Sequence, residues 1–572
     1  MEKNKRKGYP SIDKPWLKYY SEEALCTSLP KCSIYQFFYQ NNKDRKTVPA
    51  LDYFGKTITY GEFFEGILKA ETGLRRFGVK EGDIVSAIAV STPEILYLFY
   101  AMNKLGAVSN WIDPRKGIEE VKRNITMTES KLCIVQDIFL ERLGTDLISV
   151  SGVSFVLVTL KKSMPFPKKL IMSCNNQHLP ESEKFFYYED FIQGHDIHNL
   201  DEAVYKENVP ALLEYTGGTT GVPKAVMLSN ENCNAIVVQN LIAAPPVYPH
   251  SSWLSVAFPF TAYALISNQH LPLTLGIKCI LCFELDISRV ERFLLRKKCN
   301  YIANTPIMWE NVICSKRSYR KDYSFLVMPI VGADTISTLS EQRVNEFLQK
   351  HGCKHKLAKG YGMTEAASGV TLTSTNETNK LGSVGIPFSH TVVGIFDIES
   401  GDELSYNEQG EICISGPSVM LGYYHEEEET MNVLKYHSDG RIWLHSGDLG
   451  HMDRDGFLYI DGRLKRMIIN HLGFKVFAPN VEAIISQVPG VEKCCVVGTR
   501  DRQYKVGQIV VAYVKTNAPW EDVKERIDMA CQKFLPEYSR PKVCSIGKFP
   551  YTAAGKVDFK ALERMAEENL LA

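Results

Sequence analysis

Short apolar segments alternate with helical patterns along most of the chain. The runs 84–90, 131–135 and 154–159 have the length and composition of buried strands. Helical patterns lie between such runs, for example over 93–105, where Pro93 opens a helix and Thr92 caps it. Alternation of this kind favours parallel β-sheets covered by helices. The sequence therefore predicts an α/β fold built from layers of helices and sheets.

The pattern changes at about residue 382 and again at about residue 465. Segments 411–414 and 456–460 read as short strands among Gly, Pro and Asp turns, which is typical of a β-rich unit. The final segment mixes helical patterns with strands, at 479–487, 494–498, 508–514 and 520–533. We therefore expect a large N-terminal domain over 1–464, with a β-rich subdomain at about 382–464, and a small α+β domain over 465–572.

Composition excludes several classes of protein. Lys and Arg number 66, as do Asp and Glu, so a formal net charge of +0 provides no broad surface for nucleic acid or an acidic membrane. The 15 cysteines are scattered, which indicates reduced thiols, and we interpret the Cys279/Cys282 pair as structural because it lies in an apolar run. The basic N-terminus lacks the apolar stretch of a signal peptide. We expect a cytoplasmic protein, with contact to a membrane surface left open.

The segment 215–224, Tyr-Thr-Gly-Gly-Thr-Thr-Gly-Val-Pro-Lys, is dense in hydrogen-bond donors. Its glycines let backbone N–H groups point inward, its threonines add hydroxyls, and Lys224 adds a positive charge. It is not a Walker A loop, because Lys224 follows Val222-Pro223 and no Ser or Thr follows it. We interpret it as a polyphosphate-binding loop, against the alternative of a polar surface loop.

Three further segments carry candidate nucleotide ligands. Tyr361, between two glycines, can present its ring to a purine, and Glu365 offers a hard oxygen ligand for Mg²⁺, although Thr-Glu pairs also cap helices. Asp448, in the turn His-Ser-Gly-Asp-Leu-Gly, can accept both ribose hydroxyls, although Gly-Asp is also common turn chemistry. Lys556 follows a glycine near the C-terminus. By itself it indicates a solvated surface lysine, and only its association with the other segments makes it a candidate site residue.

Together and in this order, these segments resemble the motifs of the adenylate-forming superfamily, which includes acyl-CoA synthetases, luciferase-like enzymes and nonribosomal adenylation domains. The resemblance spans about 58–562 and is greatest to the fatty-acyl-CoA synthetases. It implies that a carboxylate attacks Mg·ATP to give an acyl-adenylate and pyrophosphate, and that the acyl group then passes to coenzyme A. It also implies that a small mobile C-terminal lid turns about a hinge at Lys465 between the two steps.

The resemblance assigns nucleotide-binding roles to individual residues. It implies that ATP phosphates are bound by Thr216, Gly217, Gly218, Thr219, Thr220, Gly221 and Lys224. It places Gly332, Ala333 and Asp334 beside adenine, with Tyr361 stacked on it. Asp448 would bind the ribose hydroxyls, and Arg463 would bind ribose or phosphate oxygens.

The resemblance also assigns a catalytic set: Lys556, Thr364, Glu365 and Lys465. In this scheme Thr364 contacts the α-phosphate, Glu365 holds Mg²⁺, and Lys556 bridges the acyl carboxylate and the α-phosphate. Gly473 begins the segment 473–477 that the lid presents beside the coenzyme A channel. Two departures bear on substrate binding: no histidine follows Pro259-Phe260, and Gly332-Ala-Asp-Thr stands where relatives carry Gly-Gly-Ala-Pro.

The sequence constrains the identity of the acid substrate less than it constrains the nucleotide site. The pocket is expected from 253–267, 305–309, 331–334 and 361–370, with an aromatic lining of Phe258, Phe260, Tyr263 and Trp309. By the same resemblance, no acidic residue stands where amino-acid-activating relatives carry an aspartate for the substrate ammonium, so we expect a medium- or long-chain fatty acid, with an aryl acid as the alternative. The sequence also leaves open a separate carrier protein as acceptor, a sensor without turnover and a kinase-like ATPase.

Overall fold

The computed structural model of the protein describes residues 7–166, 182–193, 202–216, 223–244, 248–256, 258–282, 290–374, 377–471, 473–500, 507–551 and 557–569. Two large sheets dominate this part of the chain. The nine-stranded sheet runs in the order Ile386–Pro387, Thr371–Leu372, Ala358–Tyr361, Met328–Val331, Tyr301–Asn304, Ser252–Ser255, Lys278–Leu281, Pro49–Tyr53 and Lys56–Thr59. The eight-stranded sheet runs in the order Gly422–Tyr423, Ala225–Ser229, Pro210–Tyr215, Val108–Trp111, Ile84–Ile88, Leu132–Gln136, Ser154–Val158 and Phe185–Tyr187.

Three helices share one core with both sheets: Ile34–Asn42, Tyr60–Arg76 and Pro93–Lys104. Their starts are set by side-chain caps, since Ser33, Thr59 and Thr92 each accept a hydrogen bond from the first helical turn. Within this core Phe38 stacks on Tyr100 with ring centroids 4.2 Å apart.

The other helices of this part cover the sheets or connect their strands. They are Pro10–Asp13, Glu22–Cys26, Ile118–Met127, Leu140–Leu147, Tyr188–Phe191, Asn230–Ala243, Leu271–Thr274, Val290–Lys297, Pro306–Cys314, Thr338–Lys350 and Glu427–Val433. A π-helix spans Tyr263–His270, directly before Leu271–Thr274. Helices of this kind are rare and are frequently found at functional sites.

The nine-stranded sheet is buried on both faces. Along its strands the side chains alternate, so that Leu254, Ile302 and Val331 join one core cluster while Trp253, Tyr301 and Ile330 join the other. Trp309 is fully buried in the first cluster and donates through Nε1 to the Ile330 carbonyl at 3.0 Å. Tyr263 packs against the second cluster. The expectation that Trp309 lines a pocket together with Tyr263 is therefore wrong, because the sheet separates them.

A separate five-stranded sheet follows the two large ones. Its strands are Val392–Phe396, Gly410–Ser415, Ile442–Met452, Leu434–Tyr436 and Leu458–Arg463, and every pairing is antiparallel. The β-rich character expected from about residue 382 is thus observed.

The C-terminal part is a small α+β unit. A hairpin of Met467–Ile469 and Lys475–Phe477 precedes a sheet of Val491–Arg500, Gln508–Thr516 and Lys542–Ser545, with helices Ala478–Ser486, Trp520–Phe534 and Phe559–Asn569. Its side chains form core clusters of their own. The α/β fold with a small α+β C-terminal domain is confirmed. Cys279 and Cys282 are both buried, as their apolar surroundings predicted. Among the helices described, none is long and apolar enough to cross a membrane.

Candidate active site

The base of the Gly/Thr-rich loop is a tight hairpin. Strands Pro210–Tyr215 and Ala225–Ser229 pair antiparallel up to Tyr215 and Ala225. Beyond them the Thr216 N–H donates to the Lys224 carbonyl at 3.0 Å, and the Lys224 N–H donates to Thr216 Oγ1 at 3.1 Å. Gly217, Gly218, Thr219, Thr220 and Gly221 lie outside the described residues. The hairpin base fixes where the loop leaves and re-enters the sheet.

The Lys224 side chain joins a chain of polar contacts. Its ammonium is ion-paired with Glu429 and lies 4.9 Å from the ring centroid of Tyr423. The Tyr423 hydroxyl in turn donates to Glu365 Oε1 at 2.9 Å. The strand Gly422–Tyr423 pairs with Ala225–Ser229, which is why these groups meet. The predicted phosphate ligand Lys224 and the predicted metal ligand Glu365 therefore flank the same tyrosine.

Glu429 occupies the position that an anionic ligand of Lys224 would take. The Lys224 ammonium, and after it Lys465, lowers the pKa of Glu429, so the carboxylate is charged at neutral pH. Phosphate oxygens that bind the Lys224 ammonium would compete with this carboxylate for its positive charge. Replacing Glu429 with glutamine is therefore expected to lower the KM for ATP about threefold, in keeping with the small energies of exposed ion pairs.

Steady-state pyrophosphate release over a range of ATP concentrations measures this effect. Glu428→Gln removes the same charge from the neighbouring exposed position and should leave the KM for ATP unchanged. An unchanged or raised KM in Glu429→Gln would show that this carboxylate does not compete with phosphate.

Glu365 is suited to a divalent cation. It lies half-buried in the turn Thr364–Ala366. Its Oε1 accepts the hydrogen bond from the Tyr423 hydroxyl. A carboxylate retains several further lone pairs, which is the hard oxygen chemistry that Mg²⁺ prefers. Thr364 precedes it in the same turn. The donor chemistry of these residues fits a Mg²⁺ ion.

Asp448 is the buried centre of a second polar group. Its Oδ2 accepts from the Tyr361 hydroxyl at 2.8 Å, and its Oδ1 accepts from Arg463 Nε at 2.8 Å. Asp448 is 2% exposed, whereas 60% of the Arg463 side chain is exposed. A carboxylate accepts hydrogen bonds from hydroxyl donors, and hydroxyl donors are what a ribose offers. The structure thus brings together three residues that the sequence assigned to one nucleoside.

A bulge in the strand Ile442–Met452 aims Asp448 into the site. The register against Gly410–Ser415 shifts between Glu411 and Cys413, so extra residues loop out before Leu449. Glu411 holds this bulge by accepting from the Gly447 N–H at 3.0 Å and pairing with His445 Nδ1 at 2.7 Å. Burial favours a neutral Glu411, but these hydrogen bonds outweigh it and lower the pKa of the carboxyl group.

Glu411, Cys413 and His445 also place three metal-binding groups within 4.8 Å of one another. The Glu411 carboxylate is already engaged by His445 and by the backbone of the bulge, and burial raises the pKa of the Cys413 thiol well above its usual value. A neutral thiol is a poor metal ligand. We therefore assign this group to positioning Asp448.

Gly332, Ala333 and Asp334 follow the strand Met328–Val331 at the edge of the sheet. A Cβ on Gly332 would lie 3.5 Å from the Gly360 carbonyl oxygen and 3.8 Å from the Tyr263 hydroxyl, so this residue lies between the neighbouring strand and Tyr263. Ala333 has a positive φ of 64°. Asp334 is exposed and its carboxylate accepts from the Thr335 N–H at 2.9 Å. Gly332 and Tyr361 lie close together because the two parallel strands end at the same edge.

Lys465 and Gly473 both lie where the C-terminal unit begins. Lys465 is in the 3₁₀ turn Leu464–Arg466, between the last strand of the five-stranded sheet and the hairpin that follows. Gly473 has a φ of 81° in the hairpin turn, and its N–H donates to the Asn470 carbonyl at 2.9 Å. Lys556 lies outside the described residues, and a bridge between Tyr551 and Val557 closes the segment that contains it.

Sequence reasoning missed the roles of three residues of this region: Tyr423, Glu429 and Glu411. The acidic run 426–429 has the pattern of a solvated helix start, and Glu427–Val433 is indeed a helix, but Glu429 pairs with Lys224. These contacts depend on pairings between distant strands, for which the sequence carries no local signal.

Two family matches cover most of the chain. Residues 38–424 match the AMP-binding enzyme family, and residues 480–556 match the AMP-binding enzyme C-terminal domain. The chain is 26% identical to a long-chain-fatty-acid–CoA ligase of Bacillus subtilis, over 97% of this chain and 99% of that protein. It is 27% identical to a 4-coumarate–CoA ligase of Humulus lupulus, over 89% of each.

A solved structure supports the same assignment at the level of fold. The anthranilate CoA ligase AuaEII in complex with anthranoyl-AMP aligns with a TM-score of 0.81 and 20% identity, over 96% of this chain and 100% of that one. The family matches extend across both the large domain and the C-terminal unit. The chain therefore belongs to the AMP-binding enzyme family and is an enzyme of its acyl- and aryl-CoA ligase branch.

Proposed function

We propose that this enzyme is an AMP-forming acid–thiol ligase that converts a medium- or long-chain fatty acid into its coenzyme A thioester. The observation that carries the proposal is the buried Asp448 carboxylate, which accepts from the Tyr361 hydroxyl and from Arg463, so that three residues expected to bind one nucleotide lie together. Lys224 and Glu365, which flank Tyr423, are suited to the triphosphate and its Mg²⁺.

The proposed reaction has two displacement steps. A carboxylate oxygen attacks the α-phosphorus of ATP, the bond to the β-phosphate oxygen breaks, and pyrophosphate leaves. The coenzyme A sulfur, as thiolate, then attacks the acyl carbon, and the bond to the AMP oxygen breaks. Lys224 would hold phosphate oxygens, Asp448 the ribose, and Lys556 the two reacting anions. When bound at Glu365, Mg²⁺ would neutralise charge on the phosphates.

The apolar residues against which Tyr263 packs support an apolar acid as the substrate. The residues on this face of the nine-stranded sheet are apolar and include Val237, Ala303, Ile330, Ala358 and Leu372. Next to them lies a small cavity of about 20 Å³, lined mainly by Trp253, Leu271, Leu275, Ile277, Tyr301 and Met328. Such surroundings favour a hydrocarbon body over a charged one. A long-chain-fatty-acid ligase among the relatives agrees with this choice.

An aryl acid is the second candidate. Gly332 lacks a side chain next to the Tyr263 hydroxyl, so no side chain of its own separates this tyrosine from the strand end, where a flat group could bind. Coumarate and anthranilate ligases among the relatives and neighbours fit this alternative. Comparing fatty and aryl acids of similar size in a pyrophosphate-release assay separates the two.

Coenzyme A is the proposed acceptor, and a separate carrier protein is the alternative. Incubation with ATP, an acid and coenzyme A should yield acyl-CoA, AMP and pyrophosphate in equal amounts. Acyl-AMP that accumulates without acyl-CoA would favour the carrier protein. ADP and phosphate would indicate a kinase-like ATPase, and nucleotide binding without any product would indicate a sensor. The balanced charge and the scattered thiols support a cytoplasmic location.

We place the hinge of a mobile lid at Lys465, between domains over 1–464 and 465–572. Lys465→Pro is expected to spare acyl-adenylate formation within about threefold and to lower thioester formation at least about tenfold, because proline fixes φ and prevents the rotation. Single-turnover assays of each half-reaction measure the two rates. Lys465→Ala removes the charge but keeps the rotation and serves as control. Normal overall turnover of Lys465→Pro would exclude a hinge here.

A further inference from the structure

The amino-terminal edge of the nine-stranded sheet carries a basic surface that the proposed reaction does not use. Strands Met328–Val331 and Ala358–Tyr361 run parallel, so the segments 315–327 and 351–357, which lead into them, lie at the same edge. These segments expose six cations, which we call the basic edge: Lys316, Arg317, Arg320, Lys321, Lys354 and Lys356. We propose that the basic edge docks the enzyme on the surface of an anionic lipid bilayer.

Hydrogen bonds hold the two segments of the basic edge together. The Tyr323 N–H donates to the His351 carbonyl at 2.7 Å, and His351 Nε2 lies 3.3 Å from the Tyr319 carbonyl oxygen. The Cys353 thiol donates to the Leu326 carbonyl at 3.7 Å. The cations on both segments therefore belong to one surface of the folded protein.

The acidic residues between positions 290 and 327 do not balance this charge. Glu291 is buried and accepts from two serine hydroxyls, each at 2.8 Å. Glu310 lies 3.5 Å from Arg343. Asp322 is exposed, and it accepts from the Ser324 N–H at 3.0 Å and from the Ser324 hydroxyl at 2.6 Å. The formal net charge of +0 belongs to the whole chain and does not reveal this local excess of positive charge.

Further cations follow the same edge of the sheet. The exposed Lys298 precedes the strand Tyr301–Asn304, and the exposed Lys43 and Lys46 precede the strand Pro49–Tyr53. The strands between these positions are all parallel. Neighbouring strands lie about 4.8 Å apart, so the six strands spread these cations over about 24 Å. A surface of this extent fits an extended anionic partner better than a small anion.

An aromatic side chain lies among the cations. Tyr319 is 66% exposed and stands between Arg317 and Arg320 in the chain. Tyrosine is enriched at the interface between membrane and water, and clusters of Lys and Arg attract anionic lipids. A bilayer also contains dissolved apolar acids, and this part of the argument rests on the proposed function. These features favour a lipid surface over nucleic acid.

Docking through the basic edge leaves the nucleotide site accessible. Gly332 and Tyr361 lie at the carboxyl ends of their strands, whereas the basic edge lies at the amino ends. Apolar clusters cover both faces of the sheet between them. A lipid surface at one end of the strands therefore does not obstruct the other end, and substitutions in the basic edge should not alter catalysis with a dissolved acid.

Co-sedimentation with lipid vesicles tests the proposal. Vesicles of phosphatidylcholine with about one third phosphatidylglycerol are compared with vesicles of phosphatidylcholine alone, at about 0.1 M salt. The native enzyme should bind the anionic vesicles at least about tenfold more strongly, and about 1 M salt should abolish the difference because it screens the charges. Arg317→Glu combined with Lys354→Glu should weaken this binding at least about tenfold, since each substitution replaces an attraction with a repulsion.

Lys524→Glu combined with Lys533→Glu is the matched control. It changes the net charge equally at two exposed positions of the helix Trp520–Phe534 and should leave vesicle binding unchanged. Equal binding of the native enzyme to both kinds of vesicle would overturn the inference, as would equal weakening in both double variants, which would assign binding to total charge. Stronger binding to a DNA duplex than to anionic vesicles would assign the basic edge to nucleic acid instead.

Activity separates this inference from the proposed function. The Arg317→Glu, Lys354→Glu variant should release pyrophosphate with dissolved octanoate at the native rate while failing to bind vesicles. A loss of this activity together with vesicle binding would overturn the inference, because a general folding defect would then explain both. Absence of AMP formation by the native enzyme with every acid would refute the proposed function and leave the vesicle result standing.

Discussion

Lys556→Ala is expected to lower the rate of acyl-adenylate formation at least about 100-fold, comparable to the loss of one oxyanion-stabilising donor in other enzymes. The first step brings a carboxylate against the α-phosphate, and both are anions. A lysine shared between them stabilises the charge that develops as the new bond forms. The second step starts from a neutral acyl carbon and does not need this lysine. Thioester formation from supplied acyl-adenylate should therefore change less than about threefold.

Each half-reaction has its own measurement. Pyrophosphate release with acid and ATP reports the first step, and acyl-CoA formation from synthetic acyl-adenylate reports the second. Lys560→Ala removes an exposed lysine from the following helix, Phe559–Asn569, and should leave both rates unchanged. Equal losses in both half-reactions of Lys556→Ala would contradict the assignment, because a general defect of the C-terminal unit would then explain them.

The fold could be predicted largely from the sequence because its elements have strong local signals. The predicted strand 84–90 is observed as Ile84–Ile88, and the helix 93–105 as Pro93–Lys104 with Thr92 as its cap. The π-helix Tyr263–His270 could not be predicted, since its sequence has no periodic pattern that differs from a buried α-helix. The pocket position expected for Trp309 is wrong because helix position alone does not reveal which sheet face a side chain joins.

The candidate site also contains some residues that could be predicted from the sequence and others that could not. Asp448, Glu365 and Lys224 stand out because each lies in a short run of glycines and hydroxyl residues whose chemistry is local. Glu429 does not, because its partner Lys224 is 205 residues away in the chain. That contact arises only when Gly422–Tyr423 pairs with Ala225–Ser229. The sequence predicts Tyr263 only as an aromatic residue that lines the pocket. Its buried hydroxyl finds no hydrogen-bond partner among the described residues, and this depends on which residues pack around it in the folded protein.

The second large effect is expected for Asp448→Asn, with a loss of about 100-fold in kcat/KM for ATP. Asparagine keeps the shape, but its NH₂ group must face either the Tyr361 hydroxyl or the Arg463 guanidinium, both of which donate to the carboxylate. A hydrogen bond to a charged group contributes about 1.5–3 kcal/mol, and two ribose hydroxyls would lose such bonds. Binding of AMP, followed by calorimetry, should weaken by a similar factor.

The same substitution also tests whether Asp448 acts on the nucleotide or only on the fold. Asp439→Asn, in the hairpin turn of the same sheet, removes a carboxylate that accepts from Trp443 Nε1 and should leave AMP affinity unchanged. If Asp448→Asn lowered the thermal midpoint but bound AMP normally, its role would be confined to holding Tyr361 and Arg463. A normal midpoint with weakened AMP binding would instead identify direct contact with the ribose, because the bulge stabilised by Glu411 would still present the side chain to the site.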